Sequence, residues 1–230
     1  MKYQGSELEI FQNVENWKKY WSGLITESPV ATALEVGAGI GGNLPYLLHK
    51  SKMLTLLEPD SEYCLNQLKQ NLHLYSGVKV VNGTLQAILE QDNFDTIYYI
   101  DVLEHIENDL LELEIASSHL KIGGRIYILV PAHMFLFSQF DQSVGHYRRY
   151  SRKSLQNCIP KNLVTRRVKN LDCVGLFASL LNKYLFPNNL VTRKKVVFWD
   201  RFVVPMSVVL DQLLLFRVGK SIFVELERIH

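Results

Sequence analysis

The chain has 230 residues, 47% of them hydrophobic and 21% charged, with a formal net charge of +2. That size and composition exclude a disordered segment and place the chain near the upper end of one domain. Three cysteines without C-x-x-C spacing exclude a disulfide scaffold and fit a reducing, cytoplasmic setting.

The opening MKYQGSELEIFQ carries no basic-then-apolar leader pattern, so no secretory signal is expected. The longest stretch free of Asp, Glu, Lys and Arg is 126–140, at 15 residues. A spanning helix needs about 20 apolar residues, so none is expected. The net charge is a sum of unlike halves: residues 1–140 hold 9 basic against 17 acidic side chains, residues 141–230 hold 16 against 6. A −8 part joined to a +10 part prompts a search for an anionic partner.

A helical stretch, 5–26, carries Phe11, Trp17, Tyr20 and Trp21. Short apolar runs then alternate with helical patterns. Strands are expected at 31–36, 53–57, 78–81, 96–100 and 125–130, and helices at 44–50, 61–71, 85–90 and 109–120. This order predicts a parallel sheet built from β-α-β units and covered on both faces. Residues 131–150 read as a loop. A short helix at 154–157, a strand at 164–171, apolar helices at 175–185 and 195–216, and a last strand at 221–227 complete the chain. The expected organisation is one domain: a helical cap over 1–30, a core over 31–131 and an elaborated end over 132–230.

The first strand runs into Glu35-Val36-Gly37-Ala38-Gly39-Ile40-Gly41-Gly42. Glycines between a strand and a helix let a ligand approach the backbone at the helix N-terminus. Gly37, Gly39 and Gly42 also satisfy the dinucleotide pattern G-x-G-x-x-G, and Glu58, 21 residues after Gly37, suits a ribose. Glu35 separates the two cofactor classes. A carboxylate beside the loop repels a diphosphate but favours the ammonium and sulfonium of S-adenosylmethionine. A nicotinamide-dependent oxidoreductase stays as the alternative on the loop alone.

With LEVGAG, LEPD, FDTI, DVLEHIEND and LKIGG in that order, residues 31–131 resemble a class I S-adenosylmethionine-dependent methyltransferase. The resemblance implies a Rossmann-like α/β fold with a mostly parallel seven-stranded sheet. It also implies that Gly37 and Gly39 face the methionine part of the cofactor, with Glu35 near its amino group. Glu58 would bind the ribose, Pro59 pack near the adenine, and Asp101 and Val102 close the methionine side. Where the family often places an acid for the adenine amine, this chain reads Gly83-Thr84-Leu85, so Thr84, Leu85 and backbone groups are expected there. Val130-Pro131-Ala132-His133, Asp141 and the run Gly145-His146-Tyr147-Arg148-Arg149-Tyr150 resemble a bacterial subgroup that accompanies surface-polysaccharide pathways.

Methyl transfer needs an aligned acceptor and, for a hydroxyl, a base. The loops after the fourth and fifth strands should frame the acceptor. His146 is the first candidate base, since imidazole titrates near neutrality; His133 and Asp141 follow. The competing reading is that Asp141 locks the loop by pairing with Arg148 or Arg149. His105, Tyr147, Arg148 and Arg149 are candidate acceptor contacts, the arginines suiting phosphate or carboxylate. Asp101, Glu104 and His105 share a helical face and resemble the metal site of small-RNA 2′-O-methyltransferases, against the simpler reading of cofactor closure and helix capping.

The expected activity is O-methylation of a sugar or glycan-like, anionic acceptor, with a phosphorylated one included. The alternatives are N- or C-methylation of a small metabolite, or a catalytically silent partner protein. No nucleic-acid module is recognisable. Residues 198–216 suit core packing, a homo-oligomer contact or a peripheral membrane surface, since Arg193, Lys194 and Lys195 flank them.

Overall fold

A computed structural model describes residues 10–25, 28–59, 64, 66–68, 70, 75–185 and 191–230. Seven strands form one sheet: β1 Val30–Val36, β2 Ser51–Glu58, β3 Val78–Asn82, β4 Phe94–Ile100, β5 Leu120–Pro131, β6 Leu163–Leu171 and β7 Ser221–Arg228. Their spatial order is β3-β2-β1-β4-β5-β7-β6. The first five are parallel, while β7 runs antiparallel to both β5 and β6. The order reverses between β1 and β4, so the carboxyl ends of those two strands form the crevice where open α/β sheets bind ligands.

The period of two divides each central strand between two cores. Ile97 and Tyr99 of β4 enter one, Tyr98 and Ile100 the other. On the second face Tyr98 stacks on Tyr127, which packs against Phe223, with centroids 5.9 Å apart in each pair. Helices α1 Asn16–Gly23 and α2 Leu44–Leu47 cover this face, while α3 Asp109–Ser118 covers the other. All three residues of this aromatic row are essentially inaccessible, so each contributes full side-chain burial of about 2–3 kcal/mol.

The structure refines several expected elements. The fifth strand begins at Leu120, because the glycines at 123 and 124 bend it without ending its pairing. Residues 85–90 hold only a 3₁₀ turn, Leu85–Ala87. The segment 131–150 is partly ordered, with a 3₁₀ turn at Met134–Leu136 and α4 Gln139–Ser143. Helix α5 Arg152–Asn157 and helix α6 Cys173–Leu185 follow. The long helix expected over 195–216 is three pieces: α7 Arg193–Phe198, a π-turn Trp199–Val203, and α8 Val204–Leu213. Pro205 lies in the first turn of α8, directly after the π-turn. Much of the helix expected over 61–71, and the start of the one over 5–26, lie outside the described residues.

Buried aspartates join the two ends of the chain. Asp200 accepts from the backbone N–H groups of Glu15 (3.1 Å), Asn16 (3.2 Å) and Trp17 (2.9 Å), capping α1 from a distant segment. Asp211 accepts from Tyr20 Oη (2.8 Å), Asp172 N (2.6 Å) and Cys173 N (2.9 Å). Asp172, at φ +66°, accepts from Gly175 N, Ser207 Oγ and Trp199 Nε1. The N-terminal cap is therefore fastened to the π-turn and α8 rather than to the sheet alone.

Candidate active site

The glycine turn leaves β1 with Gly37 at φ +67° and Gly39 at φ +55°. Gly37 N and Ala38 N donate to Leu57 O, and Gly39 N donates to Glu58 Oε2 at 2.6 Å. Glu58 thus braces the loop from the end of β2. A Cβ on Gly37 would stand 2.7 Å from Val102 Cγ2, so the loop and the end of β4 are in close contact at this point. Gly37→Ala therefore meets both a steric clash and a left-handed backbone that alanine adopts poorly. Calorimetric affinity for S-adenosylmethionine is expected to fall by about five- to 150-fold, as a local cost of about 1–3 kcal/mol implies.

Glu35 is 1% exposed; Oε1 accepts from Asn43 Nδ2 at 3.0 Å, and Oε2 has no hydrogen-bond partner. Burial pushes its carboxyl up to about 7, against the Asn43 bond and the Lys18 charge. Lys18, on α1, donates to Gly42 O (2.8 Å) and Gln12 O (3.1 Å), and burial holds its pKa below the usual lysine value. Sequence reading missed Lys18: it sits among aromatic residues on α1, and only the tertiary packing brings it to the glycine loop.

Asp101 ends β4 in the left-handed region at φ +54°, its N–H donating to Leu129 O. Its side chain opens to solvent, yet protein surrounds it. That desolvation pushes its carboxyl up to about 6, against the pull of His146, Lys220, Lys18 and Arg149. Glu35 and Asp101 thus provide two carboxyls around the glycine turn, with Glu35 Oε2 unpaired in the protein. An oxygen of that kind fits a cationic group and resists a phosphate.

On the expected adenine side the fit is looser. Leu85 is fully buried and packs in the core rather than lining the crevice. Thr84 Oγ1 is engaged by Gln86 Oε1, which leaves the hydroxyl less available than the sequence suggested. Pro59 is exposed at the end of β2.

The loop after β5 closes on itself where Ala132 bridges Tyr150; Tyr150 N donates to Pro131 O and His133 N to Tyr150 O, both at 2.8 Å. Inside it, Asp141 is fully buried. Its oxygens accept from His146 Nδ1 (2.9 Å), Arg149 Nε (2.7 Å) and Nη2 (3.0 Å), and Ser138 N and Oγ (2.9 Å each). Burial alone would raise this carboxyl, but the bonds outweigh it and hold it well below the usual carboxylate range. Asp141 is therefore no free base: it is inaccessible and already engaged on both oxygens. Its geometry orients His146, placing Nε2 3.9 Å from Glu104 Oε1.

The basic cluster is also redirected. Arg148 pairs with Asp109 Oδ2 (2.7 Å) and Glu107 O (2.6 Å), Arg149 with Asp141, and Arg152 with Asn170 Oδ1 (2.7 Å) and Phe216 O (2.8 Å). These guanidinium groups brace the loop instead of forming an open anion cradle. Tyr147 stays exposed, with the Arg148 guanidinium 5.7 Å from its ring centre. His133 takes φ +67°, bonds Gly219 O at 2.9 Å and stacks on Phe135. Lys220, missed in the sequence, lies near Asp172 Oδ2 (4.0 Å) and over the Trp199 ring, and burial holds it below the usual lysine range.

Glu104 is 1% exposed, with Oε2 unpartnered and its pKa pushed well up by burial and then by Asp101. His105 lies edge-on to His146 at 4.5 Å, and burial with the His146 charge lowers its pKa to about 4. Among the described residues, ligand-capable atoms of Glu104, His105 and His146 lie within 4.8 Å of one another. Asp101 is not in that group, so the expected trio is altered: residues 103–105 form a 3₁₀ turn rather than the start of an α-helix, and Asp101 precedes it in a left-handed conformation.

Residues 34–126 match a family model described as a methyltransferase domain. This match and the sheet order give the chain a Rossmann-like methyltransferase fold, and a domain of this kind implies methyl transfer with S-adenosylmethionine as cofactor. No curated protein matches it closely enough in sequence to report.

Among solved structures, the chain is similar to one from the complex between the Haloferax volcanii Trm112 methyltransferase activator and the putative methyltransferase. The identity is 14%, over 99% of this chain and 95% of that one, with a TM-score of 0.65. It is also similar to the N-methyltransferase NodS of Bradyrhizobium japonicum, solved with S-adenosyl-L-homocysteine (12% identity, 98% and 97% coverage, TM-score 0.61). A third likeness is to the mitomycin 7-O-methyltransferase MmcR (15% identity, 96% and 54% coverage, TM-score 0.59). At these identities the likeness concerns the fold.

Proposed function

We propose that this methyltransferase acts on a hydroxyl of a sugar or glycan-like acceptor, with His146 as general base. The observation that carries this reading is the Asp141–His146 pair at 2.9 Å, on the loop beyond β5. A buried carboxylate on Nδ1 fixes the imidazole tautomer and leaves Nε2 as the basic nitrogen, the arrangement that accepts a hydroxyl proton. Bound cofactor supplies an activated methyl on a sulfonium. Glu35, Asp101 and the glycine turn would hold and orient it, and Gly37 lets the backbone approach. Tyr147 offers an exposed aromatic face on which a sugar ring can pack, and Lys220 supplies positive charge near Asp101 for an anionic acceptor. The structures to which the chain is similar include both O- and N-methyltransferases, so the acceptor atom rests on the dyad alone.

The direct test is a screen of nucleotide sugars and glycan fragments with methyl-labelled cofactor. Label transfer to a sugar hydroxyl supports the reading, and transfer confined to amines overturns it. A second, metal-assisted reading is favoured by the unpartnered Glu104 Oε2 beside His105 and His146. Full activity after exhaustive chelation would dismiss it.

The Glu35 carboxyl gives a further expected result. A cation binds the ionised form, so below pH 7 binding must expel a proton first. Cofactor affinity should therefore weaken as pH falls from 8 to 6, approaching about tenfold per pH unit at the acid end. Glu35→Gln should flatten this dependence, as calorimetry at several pH values would show.

A further inference from the structure

We infer that the apolar face formed by α6, α7, the π-turn and α8 docks on an anionic lipid bilayer. On α8 and the turn before it, Phe202, Met206 and Leu213 are 54%, 56% and 72% exposed. Phe198 stacks on Phe202 with ring centres 5.2 Å apart, extending the stripe into α7. Helix α6, packed against α8, adds Phe177 and Leu181 at one-turn spacing, both more than half exposed. Exposed apolar groups contiguous over three helical segments mark an interaction surface rather than scattered exposure.

The charge around this face identifies the partner. Residues 173–217 hold six basic side chains and two acidic ones. Both acids, Asp200 and Asp211, are buried and spent on capping backbone N–H groups. All six basic residues, Lys183, Arg193, Lys194, Lys195, Arg201 and Arg217, are exposed. The helices thus show solvent only apolar, neutral and cationic groups, the pattern of an interfacial surface drawn to anionic headgroups. A second copy is less suited, since a two-fold contact would bring these cations against their own kind. The face is continuous with the acceptor loop, where Met134 and Phe135 are exposed and Lys183 bonds Phe135 O. No helix among the described residues is long and apolar enough to cross a membrane, so the contact is a surface one.

The inference does not depend on which atom is methylated. Its test is co-sedimentation of the full chain with phosphatidylcholine vesicles, with and without phosphatidylglycerol. Binding should be at least about tenfold stronger to the anionic vesicles and should weaken as salt is raised. Two double variants, Phe202→Ser with Met206→Ser and Arg193→Glu with Lys194→Glu, should each lose that preference. Both should keep wild-type cofactor binding, because these exposed side chains lie outside the site. Absence of binding to anionic vesicles would overturn the inference, as would variants that bind like wild type. So would a stable dimer in solution that the Phe202→Ser, Met206→Ser variant dissociates.

Discussion

His146→Ala lowers methyl transfer by about 100-fold, in the range typical of a lost general base, while cofactor affinity stays within about twofold. The separation follows from placement. His146 sits in the loop beyond β5 with its Nδ1 on Asp141, whereas the glycine turn and Glu35 lie at the end of β1. Asp141→Asn should cost turnover too, since an amide cannot accept from His146, Arg149 and Ser138 together. Asp141 touches neither donor nor acceptor, so it acts as a positioning residue. A single-turnover assay with labelled cofactor, paired with calorimetry, reads both quantities. Unchanged turnover in His146→Ala would remove the imidazole from the chemistry.

Asp211→Ala is expected to cost about 3–5 kcal/mol of stability. It leaves Tyr20 Oη, Asp172 N and Cys173 N without their acceptor, and buried donors left unpaired cost about 1–3 kcal/mol each, less than additively when neighbours relax. For a chain of this length the melting temperature should fall by about 10 °C. The loss should reach the cofactor site, because Tyr20 and Lys18 share α1 and Lys18 bonds Gly42 O at the glycine turn. Thermal denaturation measures the first effect, and amide exchange across residues 16–23 the second. A melting point within 2 °C of wild type would contradict this account of the network.

The parallel core was legible in sequence for a simple reason. Strands buried on both faces read as unbroken apolar runs; β1 and β4 lead directly into Gly37 and Asp101, and β2 ends in Glu58. The glycine turn and Glu35 were equally legible, because their chemistry is local. What escaped was set by long-range pairing. Asp200 caps a helix 184 residues away, and no periodicity announces such a bond. Arg148 looked like part of an anion site because its partner Asp109 lies 39 residues away, whereas the Arg149–Asp141 pair, eight residues apart, was the competing reading that the sequence offered. The apolar run at 198–216 concealed a π-turn, since hydrophobicity alone does not distinguish one helical winding from another.

The charge asymmetry also acquires a structural division. The acidic part surrounds the glycine turn with Glu35 and Asp101, groups suited to a cationic donor. Much of the basic part's surplus lies on α6 to α8 and their flanks, with only a portion facing the acceptor loop. In the proposed reading an anionic acceptor would meet Lys220 rather than the arginines, and the exposed cations of α6 to α8 would meet a surface.

The central claim, a base-assisted transfer to oxygen, is tested most directly by locating the transferred group. Incubation with ¹³C-methyl cofactor and the acceptor found by screening, followed by NMR of the product, assigns the methyl to its bonded atom. The account predicts a methyl ether on a sugar hydroxyl, formed by wild type and nearly absent with His146→Ala. A methyl on nitrogen or carbon, or an ether formed equally well without His146, would contradict it.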